Sequence, residues 1–196
     1  GRLASEVLRQ LRSTYGPAVI ESESGSVGLY LMPGQVGLFA RRCRDPVLVA
    51  AAGGVGAKAE LARRVGRHDT VGTDLVAACV NELLAQAAAP LFLISHVAAG
   101  ALPEADHLQL VKGVTEGCRE ADCALLACET TLLPDSPDPG GYVLSGFAVG
   151  MVERARLLHG SEKTRPGDVV LGIAASGLHT SGFPLASRVL LGAGAM

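Results

Sequence analysis

The sequence has no run of apolar residues close to the roughly 20 that a helix needs to span a bilayer. The apolar run at 91–97, for example, gives way to small residues at 98–100. The sequence also shows no charged start followed by a short apolar block, the pattern of secretory and transit signals. These absences predict a cytoplasmic protein with no membrane partner.

An excess of charge of either sign is also lacking. The 17 Lys and Arg residues nearly balance the 19 Asp and Glu residues, and the formal net charge is -2. Nucleic acids and anionic membranes need clustered Lys and Arg, and the basic run Arg41, Arg42 and Arg44 is short. We interpret that run as a solvated turn, so no nucleic-acid partner is expected.

The cysteines form no C-x-x-C pair, and their number, five, is odd. Cys123 and Cys128 lie on one predicted strand, where their positions place them on opposite faces. This is not the pattern of a disulfide framework. We expect buried, reduced thiols, as in cytosolic proteins.

What the sequence does contain is an alternation of apolar runs and helical patterns, which predicts an α/β fold. A chain of 196 residues, 48% of them hydrophobic, can bury a substantial core. The predicted strands span 46–51, 91–97, 123–128, 146–152 and 169–175. The predicted helices span 58–64, 73–88 and 108–121, with a last helix after Gly182. We expect Asp69 and Thr70 to cap the helix at 73–88.

Two loops are candidate phosphate sites. The turn from Gly53 to Lys58 follows a strand and precedes a helix, so its backbone N–H groups can hold a phosphate, with Lys58 as a cation. This turn matches neither G-x-G-x-x-G nor G-x-x-x-x-G-K-[ST], and a tight structural turn is the alternative. The loop from Ser176 to Gly182 has the same strand-to-helix context and suits a phosphate monoester, with a simple capped loop as the alternative.

Carboxylates near these loops are candidate Mg²⁺ ligands. They are Asp74, Glu82 and Glu129, with Asn81 as a neutral oxygen donor, and surface or capping roles are the alternative for each. The spacing of Asp74 and Asn81 places them on one face of the helix at 73–88, two turns apart. The histidines show no metal-binding spacing.

The segment from His68 to Gln86, followed by Pro90-Leu91-Phe92, carries the most information. With further matches at 123–130, 146–150 and 167–179, it resembles the phosphoribosylformylglycinamidine cyclo-ligase family. These are the aminoimidazole ribonucleotide synthetases, and they include the corresponding domain of multifunctional purine-synthesis proteins. The resemblance extends over nearly the whole chain from about Gly34 onward.

The resemblance implies a diverged segment at 1–33 and an ATP-binding domain at 34–164, whose sheet pairs with that of a second subunit in a barrel-like homodimer. Residues 165–196 would be the first strand and helix of a second domain, most of which we expect to be missing. Members of the family use ATP and Mg²⁺ to phosphorylate the formyl oxygen of formylglycinamidine ribonucleotide. Ring closure then gives aminoimidazole ribonucleotide and releases ADP and phosphate.

The resemblance also implies site residues by position, although it assigns no catalytic residue. The implied ATP contacts are Gly54, Gly56, Lys58, Asp74, Asn81 and Thr130. The implied Mg²⁺ ligands are Asp74 and Glu129, and the implied contacts to the substrate phosphate are Ser176, Gly177, His179, Thr180 and Ser181.

The chain departs from the family at specific positions. Gly53 and Ser95 stand where the family has aspartates, and Ala127 and Cys128 stand where it has glycines. We therefore expect no turnover by this chain as it stands. A catalytically silent paralogue with a dimerisation or partner-binding role is the alternative, and another ATP-using member of the superfamily is disfavoured by the segment at 68–86.

Overall fold

The computed structural model describes residues 2–20, 29–30, 45–136, 138, 140–158 and 160–191. The helices are α1 (Arg2–Arg12), α2 (Lys58–Val65), α3 (Asp69–Leu84), α4 (Glu104–Glu120), α5 (Gly160–Lys163) and α6 (Phe183–Leu191), with a 3₁₀ turn at Arg154–Arg156. The strands are β1 (Val19–Ile20), β2 (Leu29–Tyr30), β3 (Pro46–Gly54), β4 (Ala89–Ala99), β5 (Ala124–Leu132) and β6 (Tyr142–Glu153). Arg41, Arg42, Arg44 and His159 lie outside the described residues.

Four strands form one mixed sheet in the order β3-β6-β4-β5. β6 is antiparallel to both β3 and β4, whereas β4 and β5 are parallel and are connected through α4. A parallel pair needs a crossover of this kind. β1 and β2 form a separate two-stranded antiparallel sheet. The predicted α/β fold class is confirmed, and so is the existence of each predicted helix.

The core lies between the sheet and helices α3 and α4. Leu75 and Leu83 of α3, Leu110 of α4, and Leu93 and Leu125 of the sheet are all fully buried. Apolar residues recur at helical spacing along α3, so one stripe of this helix faces the sheet. The periodicity predicts one apolar stripe of Val76, Val80, Leu83 and Leu84; the first three are buried, whereas Leu84, at the end of the helix, is 51% exposed.

Helices α3 and α4 cross at very short range because glycines lie at their contact. A Cβ atom added to Gly113 would lie 1.7 Å from the carbonyl oxygen of Asp69, and one added to Gly72 would lie 2.5 Å from the backbone nitrogen of Val114. The Thr73 hydroxyl also donates a hydrogen bond to the Gly113 carbonyl oxygen at 3.2 Å. This crossing fixes the position of α3, and with it the position of the polar side chains that α3 carries.

The opposite face of the sheet keeps large apolar side chains exposed. Leu48 of β3 is 56% exposed and Phe147 of β6 is 44% exposed. Phe147 stands between Ala52 and Ile94 in the strand register, so an apolar row crosses three strands.

The predicted fifth strand at 169–175 is wrong. This segment has no regular secondary structure, and Val170 and Ile173 are 95% and 96% exposed. An apolar run forms a strand only where another strand supplies hydrogen-bond partners, and no described strand lies beside this one. A turn precedes it, in which the Asp168 N–H donates to the Arg165 carbonyl oxygen at 3.1 Å.

The predicted cap of α3 is also misplaced. Asp69 is the first residue of the helix, and His68 precedes it without a side-chain capping bond. The Asp69 carboxylate accepts a hydrogen bond from the Thr70 N–H at 2.9 Å, inside the first turn. An acidic residue in this turn favours the helix through the dipole, which explains why the helix starts before Thr73.

Two expectations from the absences in the sequence can be compared with the structure. Within the described ranges, no helix has both the length and the apolar character to cross a membrane. The described cysteines are all free: Cys79, Cys118 and Cys123 are buried and Cys128 is half-buried. Burial raises the pKa of the Cys79 thiol to about 11, so it stays protonated at neutral pH.

Candidate functional site

A cleft of about 1070 Å³ lies along the outer edge of β3, between α2, α3 and the loop at 176–181. It brings together Gly54, Lys58, Asp74 and Asn81 of the predicted ATP contacts. All the predicted contacts to the substrate phosphate line the same cleft, namely Ser176, Gly177, His179, Thr180 and Ser181. Two separately predicted loops therefore form the walls of one site.

The glycine turn at the end of β3 leads directly into α2. The Val55 N–H donates to the Leu144 carbonyl oxygen at 3.2 Å, and a Cβ on Gly54 would lie 3.2 Å from that same oxygen. Gly56 has a φ of +53°, in the left-handed region that glycine adopts readily. Ala57 makes no side-chain cap, and the N–H groups of Lys58 and Ala59 donate to the Val55 and Gly56 carbonyl oxygens at 3.2 and 3.1 Å. The positive end of the helix dipole at this turn favours a nearby anion.

Lys58 is the central cation of the cleft. Its Nζ lies 2.6 Å from Asp74 Oδ2 and donates a hydrogen bond to the Leu178 carbonyl oxygen, also at 2.6 Å. The Lys58 and Asp74 side chains are only 14% and 23% exposed, so water screens this pair less than a surface ion pair. The same Nζ lies 5.6 Å from the centre of the Phe183 ring, within the range of a cation–π contact.

Helix α3 contributes the polar floor of the cleft. Asp74 and Asn81 both line it, as their spacing predicted. Thr70, Thr73 and Glu82 line it as well. Sequence reasoning assigned Thr70 only a capping role and did not single out Thr73, although the same helical spacing connects Thr70 with Asp74.

Glu129 and Thr130 do not belong to this cleft. Both lie on β5, at the opposite edge of the sheet, and both are exposed. Three strand spacings separate β3 from β5, about 14 Å. Thr130 Oγ1 instead lies 3.2 Å from Nε2 of His107, whose pKa is lowered by burial. Glu129 therefore cannot reach a ligand held beside Lys58 of its own chain.

The two positions that lack the family's aspartate lie in different environments. Gly53 lines the cleft, and a Cβ there would meet the Cys79 sulfur at 3.4 Å, an ordinary contact. Ser95 is completely buried and stands between Gly146 and Cys128 in the register. Both residues are described by the structure, and of the two only Gly53 borders the cleft.

A partly buried polar cluster around His68, which sequence reasoning missed, holds the start of α3. The Nδ1 atom of His68 lies 3.0 Å from the Tyr142 hydroxyl, and its Nε2 lies 3.7 Å from Asp106 Oδ2. The His68 N–H donates to Gln109 Oε1 at 3.0 Å. Burial, and secondarily the Asp106 charge, raise the pKa of Tyr142 to about 12. The cluster joins the start of α3 to α4 and β6.

No group of three or more His, Cys, Asp or Glu side chains among the described residues is arranged to hold a metal ion. The cleft does offer two carboxylates, those of Asp74 and Glu82. Mg²⁺ in nucleotide sites commonly takes one or two carboxylates and completes its shell with phosphate oxygens and water. These two carboxylates are two turns apart on α3, about 12 Å along its axis, so one Mg²⁺ could take only one of them and would need phosphate oxygens and water for the rest of its shell.

The fold and the cleft define an α/β domain with a polar cleft at the edge of its sheet. Over residues 41–152 the sequence matches the family described as AIR synthase related protein, N-terminal domain. A phosphoribosylformylglycinamidine cyclo-ligase from Anaeromyxobacter sp. (strain K) is 45% identical over 190 residues, which cover 97% of this chain and 53% of that protein. The chain belongs to the AIR synthase related family. It spans about half the length of the curated relatives it matches.

Solved structures show the same fold at low sequence identity. Thiamine-monophosphate kinase from Stenotrophomonas maltophilia K279a gives a TM-score of 0.56 at 18% identity and covers 78% of this chain and 43% of that one. Hydrogenase maturation protein HypE in complex with ATP gives a TM-score of 0.55 at 15% identity, covering 85% of this chain and 43% of that one. At these identities the likeness concerns the fold alone.

Proposed function

We propose that this chain is the ATP-binding part of a phosphoribosylformylglycinamidine cyclo-ligase of de novo purine synthesis, acting in the cytoplasm. The observation that carries the proposal is the single cleft in which Lys58, Asp74 and Asn81 face the loop at 176–181. The identity of 45% with the cyclo-ligase from Anaeromyxobacter sp. supports the choice of reaction. In this proposal, residues 34–164 form the ATP-binding domain and residues 165–196 begin the second domain.

The cleft fits a nucleoside triphosphate in size and chemistry. Small-molecule pockets range over about 300–1,000 Å³, so a cleft of about 1070 Å³ can hold a nucleotide with room for part of a second ligand. The helix dipole at the start of α2 and the Lys58 ammonium suit phosphates. Leu61 and Val65 of α2 line the same cleft and offer apolar contact for a base.

The proposed roles follow from these groups. ATP supplies the phosphoryl group that turns the formyl oxygen into a better leaving group. Lys58 neutralises phosphate charge, and Asp74 is the carboxylate that would hold Mg²⁺ there. The hydroxyls of Ser176, Thr180 and Ser181 receive the phosphate of the ribonucleotide substrate. Chain residues thus act by positioning and charge neutralisation.

A homodimer formed through the sheet is part of the proposal. The exposed apolar face of the sheet, which includes Leu48 and Phe147, is the face that such a dimer would cover. In the dimer, Glu129 would be available to a neighbouring cleft rather than to its own, since β5 and β3 are opposite edges of one sheet. In this proposal Thr130 remains a predicted ATP contact and Glu129 a predicted Mg²⁺ ligand, each for the cleft of the neighbouring subunit.

Isothermal titration with the non-hydrolysable β,γ-imido analogue of ATP and Mg²⁺ tests the site. We expect binding by the wild-type chain and at least roughly tenfold weaker binding by Lys58→Met, because a buried charge-assisted contact is lost. Lys112→Met is the matched control, since Lys112 lies on α4, 58% exposed and paired with Glu116. Absence of binding by the wild type, or equal losses in both variants, would contradict the proposed site.

A catalytically silent nucleotide-binding relative is the second candidate, and the environment of Gly53 favours it. Gly53 borders the cleft without supplying a carboxylate. With ATP, Mg²⁺ and formylglycinamidine ribonucleotide, we therefore expect no ADP release above background from this chain alone, measured in a coupled assay. Turnover that disappears in Asp74→Asn would exclude the silent alternative.

A further inference from the structure

The two walls of the cleft are joined through one side chain. Lys58 belongs to α2, its salt-bridge partner Asp74 belongs to α3, and its hydrogen-bond acceptor Leu178 belongs to the opposite loop. In the described parts of the chain, this bond to the Leu178 carbonyl is the one hydrogen bond that joins residues 164–191 to residues 45–158. Lys58 therefore connects the candidate nucleotide site to the candidate substrate-phosphate loop.

The segment at 176–191 has few other attachments. Leu178 and Leu185 are mostly exposed, whereas Phe183 and Ser187 are buried, and the Phe183 ring lies against the Lys58 ammonium. A segment held by so few buried groups docks with a small free energy, and a single added interaction changes its population measurably.

We infer that Lys58 couples occupation of the cleft by a nucleoside triphosphate to docking of residues 176–191 onto the cleft. This inference rests on the proposed function, because the nucleotide is the occupant. An ammonium group has three N–H donors, and two of them go to Asp74 and Leu178. A phosphate oxygen can take the third donor, or take the place of Asp74, while the bond to Leu178 is retained.

The sign of the coupling is positive. Ser176, Thr180 and Ser181 line the cleft when the segment is docked, so they add donors for an anion. Docking also excludes water, which strengthens the attraction between Lys58 and phosphate. By thermodynamic linkage, docking raises nucleotide affinity by the same factor by which nucleotide favours docking.

Hydrogen exchange of peptides from 176–191 measures the first half of this linkage. Adding the β,γ-imido analogue of ATP with Mg²⁺ should slow their exchange roughly fivefold or more. In Lys58→Met, at analogue concentrations raised to saturation, nucleotide should slow the exchange of the same peptides much less than in the wild type, and an equal slowing would overturn the role of Lys58. Peptides from α3 and β4 report whether the domain itself is intact.

Nucleotide affinity of Phe183 variants measures the second half. Phe183 does not line the cleft, yet Phe183→Ala should weaken nucleotide binding roughly fivefold, because it weakens docking. Leu185→Ala is the matched control on the same helix and should leave affinity unchanged, since Leu185 is 66% exposed.

The outcomes separate the two claims. Failure of the wild type to bind nucleotide would contradict the proposed function, and the coupling with it. Nucleotide binding without slower exchange at 176–191, or with full affinity in Phe183→Ala, would overturn the coupling alone and leave the proposed function standing.

Discussion

The two walls of the cleft differ in how they are held. The wall formed by β3 and α3 is part of an interlocked core, in which Leu75 and Leu93 are fully buried and α3 crosses α4 at glycine contacts. The wall at 176–181 follows an irregular, exposed stretch and is joined to the core through Lys58 and Phe183. One wall is positioned by the fold, and the other depends on a few polar and aromatic contacts at the site itself.

The largest expected effect comes from disturbing the fixed wall at its helix crossing. In Gly113→Ala the new Cβ would lie 1.7 Å from the Asp69 carbonyl oxygen, and backbone cannot yield as a flexible side chain does. We expect a loss of unfolding free energy of about 3 kcal/mol or more, measured by urea denaturation. Gly160→Ala, where no atom lies within 4 Å of the added Cβ, is the control and should change stability by less than about 0.5 kcal/mol.

A cavity in the core should lower the free energy of unfolding nearly as much. Leu75 is completely buried and lies against Gly146 of β6, so Leu75→Ala should lower the unfolding free energy by about 2–4 kcal/mol. Ile173→Ala, at a position 96% exposed beyond the sheet, should be nearly neutral. Similar losses at both positions would show that residues 169–175 are as firmly packed as the core, and would contradict the difference between the two walls of the cleft.

A charge on the exposed apolar face of the sheet should have an intermediate effect. Phe147→Asp places a charge in the apolar row and should shift the chain from dimer to monomer in sedimentation velocity at micromolar concentration, with unchanged circular dichroism. Val169→Asp, exposed but outside the sheet, should leave the dimer intact. A wild-type chain that is monomeric throughout the accessible range would remove the proposed interface.

The smallest expected effect concerns pH. Burial lowers the pKa of His107, so the unfolded chain binds a proton more readily than the folded one at mildly acid pH. This contribution is complete above the unfolded pKa of about 6.5 and is lost as the pH falls toward the lower folded value. His107→Gln should therefore flatten the fall in stability between pH 7 and pH 5. Parallel stability curves for the variant and the wild type would contradict this assignment.

Local patterns in the sequence were sufficient for most of the fold. The periodicity of α3 and the apolar runs of β3 and β4 predicted elements that the structure contains, because the packing face of each is encoded within a few turns or residues. The run at 169–175 shows the limit of that reasoning. Its composition favours a strand, but composition does not supply a partner strand.

The site was predictable in part for the same reason. Lys58, Asp74 and Asn81 follow from a turn and a helical spacing, which are local. The contact between Lys58 and Leu178 joins residues 120 positions apart, and no periodicity predicts it. The separation of Glu129 from the cleft depends on β6 lying between β3 and β4, an order that spacing along the chain does not reveal.

Photolabelling with 8-azido-ATP and Mg²⁺, followed by peptide mapping, tests most directly whether this cleft is the nucleotide site. The account predicts label in peptides that contain Leu61 and Val65 of α2, at the apolar end of the cleft, and loss of that label when unmodified ATP is added in excess. Label confined to peptides outside the lining of the cleft, or label that excess ATP does not displace, would contradict it.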